Sequence, residues 1–221
     1  MQSRLLAVAV FVGALVPSMA SAQVCVGRPD LTIAPINAGA SVDFTDGGKA
    51  YGVNLGFGSE VAFGQIGLGL QKFDDFDESA TALGLGGGLI IRPSVSSKMK
   101  LCPMVQGTFG FGPNSDSVLG DVKTSFQSIL AGVALGGPVD VNPGFKLIPN
   151  AFAGVLYQRV KVTLDDEGES VDDTGGAIGG GVSLLFNDTF AIIPSVSIPV
   201  GFDSNDPVYT IGFSIGFKRR K

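Results

Sequence analysis

The sequence predicts an all-β chain that closes into an antiparallel, up-and-down transmembrane β-barrel of about ten strands, with eight or twelve also open. Three observations predict it. Of 221 residues 45% are hydrophobic and only 16% charged, with 33 Gly, and the mean hydropathy is +0.37. Past the first two dozen residues, no uncharged stretch is apolar and long enough for a membrane helix, which needs about 20 residues. The apolar residues instead alternate with small or polar ones, the period of a strand with two unlike faces.

Residues 1–22, MQSRLLAVAVFVGALVPSMASA, combine Arg4, an apolar run from Leu5 to Val16 and Ala20-Ser21-Ala22. That order is a secretory signal peptide with a small-residue cleavage site. The run is too short to span a bilayer. Residues 23–221 are then the barrel domain. It keeps two cysteines, Cys25 and Cys102, and export to an oxidising compartment favours a disulfide between them over free thiols.

Ten strands follow in order, at 31–44, 49–58, 61–72, 80–92, 100–111, 125–136, 145–162, 175–187, 189–202 and 207–217. The second collects Tyr51, Val53, Leu55 and Phe57 on one face, against Gly52, Asn54, Gly56 and Gly58 on the other. In the last, Tyr209, Ile211, Phe213, Ile215 and Phe217 oppose Val208, Thr210, Gly212, Ser214 and Gly216. Pro35 in the first strand and Pro194 and Pro199 in the ninth each remove a ladder donor. The connections alternate in length. Longer ones stand at 45–48, 73–79, 112–124, 164–174 and 203–206, and mostly tighter turns at 59–60, 93–100, 137–143 and 187–188. Fifteen of the 20 acidic residues lie in or beside the first set. The opposite end has Lys98, Lys100 and the terminal Lys218 to Lys221. Phe73 and Phe76 are expected to anchor the strands at the membrane interface.

A lipid-facing strand must have every backbone group paired, which closure into a barrel achieves. A soluble barrel would put the apolar face inside. Its outer face would then have many Lys and Glu, whereas the second face here is mostly Gly, Ala, Ser, Thr, Asn and Gln. Large residues are therefore expected outward to lipid and small ones inward to a lumen. Candidate lumen-lining residues are Asn54, Gln65, Arg92, Gln106, Asn150, Arg159 and Lys161. The cations of this set would either line water or pair with groups such as Asp43 and plug the lumen.

The signal peptide, the alternation and the final strand VYTIGFSIGF resemble the small outer-membrane β-barrel proteins of Gram-negative bacteria, of the OmpA-like and OmpW-like type. The resemblance covers essentially the whole mature chain through patterns rather than fixed residues. It implies location in the outer membrane, contact with its lipid and lipopolysaccharide, and recognition of Tyr209, Ile211, Phe213, Ile215 and Phe217 by the barrel-assembly machinery. Lys218 to Lys221 follow that strand, a departure from the usual aromatic terminus.

Composition narrows function further. A net charge of −5 leaves no basic face for nucleic acid. Without His, no Ser-His or Cys-His nucleophile pair can form, and barrel phospholipases, acyl-modifying enzymes and omptin-like proteases resemble one another in needing one. No catalytic, cofactor or metal residues are assigned. The acidic run at 165–173 lacks the order of an EF-hand loop. The expected role is a structural or narrow porin-like one, with surface interaction through acidic loops as the alternative. Oligomeric state is not legible.

Overall fold

A computed structural model describes residues 36–74, 79–94, 97–117, 120–164 and 167–217, with side chains 113–122, 164 and 167 excepted. The signal peptide, Cys25, Phe76 and Lys218 to Lys221 lie outside the described residues. Eleven strands form: β1 (Ile36–Thr45), β2 (Gly48–Gly58), β3 (Ala62–Phe73), β4 (Ser79–Leu89), β5 (Lys100–Ser117), β6 (Gly120–Gly136), β7 (Val139–Asn142), β8 (Phe145–Leu164), β9 (Glu167–Phe186), β10 (Phe190–Val200) and β11 (Val208–Phe217). Each pairs antiparallel with its neighbours. β6 pairs with β8, and β1 with β11 from Ile36↔Phe217 to Phe44↔Tyr209, so ten strands close on themselves. The extra strand β7 is a short spur hydrogen-bonded to β8 within the β6–β8 connection.

Among the described residues, both ends of the barrel chain lie at the end with the shorter turns. We call this the lower end and the end with the taller connections the upper. The Asn187-Asp188 turn has both residues at positive φ, 49° and 55°, matching the right-handed twist of the strands it joins. The expected loops at 112–124 and 164–174 are instead largely strand. β5 runs to Ser117 and β6 resumes at Gly120, while β8 and β9 pair as far as Leu164↔Glu167. Polar sequence hid these extensions, because strands that rise above a membrane need no apolar face. One residue is added to β5 between Phe111 and Asn114 as a bulge, where Gly112 takes a φ of 90° that suits only glycine. Pro194 leaves a gap in the β9–β10 ladder without changing its register, so its missing donor interrupts the ladder only locally.

The lumen has two unlike walls. From β11 through β1, β2, β3 and β4 the inward positions between the ends are Gly, Ser, Thr, Asn, Asp, Gln or Ala, as the alternation predicts. From β5 to β10 they include Met104, Phe126, Leu130, Phe152, Leu156 and Ile193, all buried. This corrects the expectation of a uniformly small inner face. β6 and β8 place apolar residues on both faces, with Ile129 outward beside Leu130 inward.

The apolar side chains form two clusters, one around Phe63, Cys102, Phe152 and Ile193 and an upper one around Phe73, Phe126 and Val160. Phe73 is thus a core residue, with 7% of its surface exposed, and not an interface anchor. Its position is inward because it lies an even number of residues from Gln71 and Phe63 in an unbroken strand. Glycine makes room for the rings. Phe63 faces Gly88, Phe126 faces Gly110 and Phe152 faces Gly179 across paired strands. A Cβ added to Gly88 would stand 2.8 Å from the Phe63 ring. Gly179→Val should therefore destabilise the barrel by about 1–3 kcal/mol, read as a lower urea midpoint, whereas Gly176→Ala on the outer face, where an added Cβ would meet nothing closer than 3.6 Å, should cost clearly less.

Candidate functional site

The outer wall is an apolar belt. In β2 the outward residues Tyr51, Val53, Leu55 and Phe57 are 42–58% exposed, and in β11 Tyr209 to Phe217 on the same parity are 41–56% exposed. Along β8 the outward apolar positions run from Leu147 to Tyr157 and then give way to Arg159 and Lys161. Ten residue steps of about 3.3 Å, tilted as in membrane barrels, give a band about 25 Å tall. An exposed apolar surface that encircles the molecule has no favourable contact with water.

Aromatic residues mark both edges of the belt. At the upper edge stand Phe44, Tyr51, Tyr157 and Tyr209, including all three tyrosines of the chain. At the lower edge stand Phe57, Phe217 and a row in which the Phe145 and Phe186 centroids are 5.0 Å apart and those of Phe186 and Phe190 6.2 Å apart. Tyrosine carries a hydroxyl that can meet water and headgroups. Absent Trp, the girdles are built from Tyr and Phe above and from Phe below.

Inside, Asp43 is buried and accepts a 2.7 Å hydrogen bond from the Thr210 hydroxyl across the β1–β11 seam. Gln65 and Gln106 lie on the inward face, separated in register by Gly86. Among the described residues, buried side-chain oxygens that include Gln65 Oε1, Gln71 Oε1, Gln106 Oε1 and Ser214 Oγ have no hydrogen-bond partner. Asn54 is half-buried beside Gly39, and Asn150 half-buried, with its amide donating to the Ile148 carbonyl.

The other candidates lie elsewhere. Arg92 stands at the lower rim, 3.7 Å from Glu60. Arg159 and Lys161 point outward, away from Asp43, and the expectation that they line or plug the lumen is corrected. β8 has no bulge, so with Leu156, Gln158 and Val160 inward the odd positions must face out. Arg159 donates to the Ser170 hydroxyl at 3.2 Å.

The remaining lower-end cations are engaged. Lys98 and Asp140 are 2.7 Å apart, as are Lys146 and Asp188, and Lys100 is buried and also partnered. The hydrogen bond from the Lys98 ammonium, then its charge, holds the Asp140 carboxyl below its ordinary pKa. At the upper end Lys49, Lys72, Lys123, Arg159 and Lys161 all face outward above the belt, Lys49, Lys72 and Arg159 at its edge and Lys161 and Lys123 higher on the tall hairpins. Sequence reading overlooked this set, although the parity of Lys49 with Tyr51 and of Lys72 with Leu70 was there to find. Cys102 is fully buried and is not a free thiol.

Replacing a central belt residue by a charge tests the lipid-facing assignment. Leu68→Arg should destabilise the folded barrel in bilayers by about 2–4 kcal/mol, read from denaturant titration in vesicles. Lys72→Ala, four residues along the same face but above the belt, should change it little.

Neither a family model nor a curated protein matches the chain. Solved structures do. The translocator domain of the autotransporter NalP from Neisseria meningitidis is similar with a TM-score of 0.50 and 13% identity over 98% of both chains. The N-terminal β-barrel domain of Pseudomonas aeruginosa OprF is similar at 0.41 and 14% over 82% of this chain and 96% of that one. Ail, the attachment invasion locus protein of Yersinia pestis, is similar at 0.42 and 15% over 83% and 95%. At such identities what is shared is the fold, and the chain is a small, closed, antiparallel up-and-down β-barrel.

Proposed function

We propose that residues 23–221 are an integral outer-membrane protein of structural role, a membrane-fixed barrel with a self-filled lumen that raises two tall hairpins above the outer leaflet. The observation that carries this reading is the pair of apolar clusters from Phe63 to Ile193 and from Phe73 to Val160, which occupy the lumen mostly from the wall of β5–β10 and are completed by Phe63 and Phe73 at the two ends of β3. A barrel of eight to ten strands is narrow enough for its own side chains to fill it. The signal peptide at 1–22 supplies export, and the β11 face from Tyr209 to Phe217 supplies the amphipathic strand offered to the assembly machinery. No catalytic role is proposed, since the chain contains no His and its acidic groups concentrate near the polar hairpin tips.

A narrow porin-like pore is the second reading. It is favoured by the unpartnered acceptors of Gln65, Gln71 and Gln106, because buried polar groups of this kind take up water where space allows. Single-channel recording of the purified protein in a planar bilayer separates the two. A self-filled lumen leaves the bilayer silent across salt concentrations; discrete conductance steps that are absent from a heat-denatured control overturn it in favour of the pore.

We also propose that the buried Cys102 is bridged to Cys25, the chain's only other cysteine. Alkylation of the denatured protein should modify no thiol before reduction and two after it. Two reactive thiols without reductant would reject the bridge.

A further inference from the structure

We propose that the outward cations of the upper rim form a phosphate-binding collar for the lipid anchor of lipopolysaccharide, an inference that rests on the outer-membrane reading. Four of the nine described Lys and Arg residues lie at the lower end, and each is paired or buried. The other five, Lys49, Lys72, Lys123, Arg159 and Lys161, lie at the upper end on the lipid-facing parity, and none of them forms an ion pair among the described residues.

Their spacing is unfavourable without a counter-ion. Lys49 and Lys72 are directly opposed across β2 and β3, and like charges in that position destabilise a sheet. Lys161 lies opposite Ser125, which places Lys123 diagonally across the same strand pair, about 7 Å away. Arg159 is two residues from Lys161 on the same face of β8, again about 7 Å. Asp172 stands opposite Arg159, yet the guanidinium donates to Ser170 instead. The Lys161 side chain lies over Gly168, its Nζ 3.6 Å from where a Cβ there would sit, so the charged group stays at the barrel wall.

Position selects the ligand. The collar rises from the edge of the apolar belt: Lys49 and Arg159 stand two residues beyond Tyr51 and Tyr157, Lys161 four beyond Tyr157 and Lys123 six beyond Ile129, a span that covers the phosphates and sugars of a membrane amphiphile's headgroup. Beneath the triad, the outward residues Ala131, Val133, Ala153 and Val155 of β6 and β8 offer a wall for acyl chains. In outer-membrane barrels the longer connections are extracellular, so the collar meets the outer leaflet. There the amphiphile is a glycolipid with several phosphates and several chains, which suits several cations at short intervals better than a single-phosphate lipid does. Juxtamembrane cations attract anionic lipid by about 1 kcal/mol each.

The test uses the full mature chain folded in neutral detergent, with the temperature-dependent gel shift of an intact barrel as the control. Native mass spectrometry and thermal unfolding are read with bisphosphorylated lipid A, fully dephosphorylated lipid A and phosphatidylglycerol. Lipid A should remain bound and raise the unfolding temperature. Its affinity should drop at least about tenfold on removing the phosphates or in K123Q/R159Q/K161Q, and less so in K49Q/K72Q. K98Q at the lower end should leave binding unchanged. Equal binding of dephosphorylated lipid A, equal binding of phosphatidylglycerol, or wild-type binding by the folded triple variant would each overturn the collar. The dephosphorylated arm needs no variant, so it decides even where a variant fails to fold. A wild-type chain that shows no barrel gel shift would instead overturn the outer-membrane reading on which the collar rests.

Discussion

Hydrocarbon offers no hydrogen-bond partner, so a strand in lipid must pair both its edges inside the protein. Every other feature of this chain follows from that requirement. It forces β1 to meet β11, although the residues that pair there stand far apart in sequence, as Asp43 and Thr210 do at a separation of 167 positions. It makes Pro194 tolerable only because its neighbours in β10 keep their register on both sides. It also leaves the outer surface free to be apolar all round, since the backbone is already satisfied and only side chains face the lipid.

Closure then creates a second problem, an interior that must be filled by side chains of unequal size. The chain solves it asymmetrically. Apart from Phe63 and Phe73 at the ends of β3, large side chains come from the β5–β10 wall, and the opposing wall is small and polar between its ends, so the rings have space to lean inward and the carboxyl of Asp43 and the amides of Gln65 and Gln71 have a side of their own. Glycine is what joins the two solutions. It is the residue across which a neighbouring ring can lie flat, at Gly88, Gly110 and Gly179.

Much of this was legible in the sequence, for a physical reason. Where one face meets lipid and the other a small-residue wall, as in β2 and β11, the contrast between faces is large and alternation reports both register and direction. Where both faces are apolar, as in β6 and β8, the contrast fails, and Leu130, Phe152 and Leu156 were not anticipated as core. The same loss of contrast above the membrane concealed the upper parts of β5, β6, β8 and β9, where neither face is apolar. Arg159 and Lys161 fell in that region. Their facing is fixed by counting from Leu156 along an unbroken strand, and residue type alone misleads.

The three ring-and-glycine contacts share one further property. Phe63 with Gly88 joins β3 to β4, Phe126 with Gly110 joins β5 to β6, and Phe152 with Gly179 joins β8 to β9. Each therefore lies inside a hairpin whose tip is at the upper end. Local pairings of this kind form with little loop-closure entropy, and the hairpins can zip with their rings already seated. The seam between β1 and β11 has no such local help. Topology thus divides the barrel into hairpins that can pair locally and one seam, β1 with β11, that joins the two ends of the sheet.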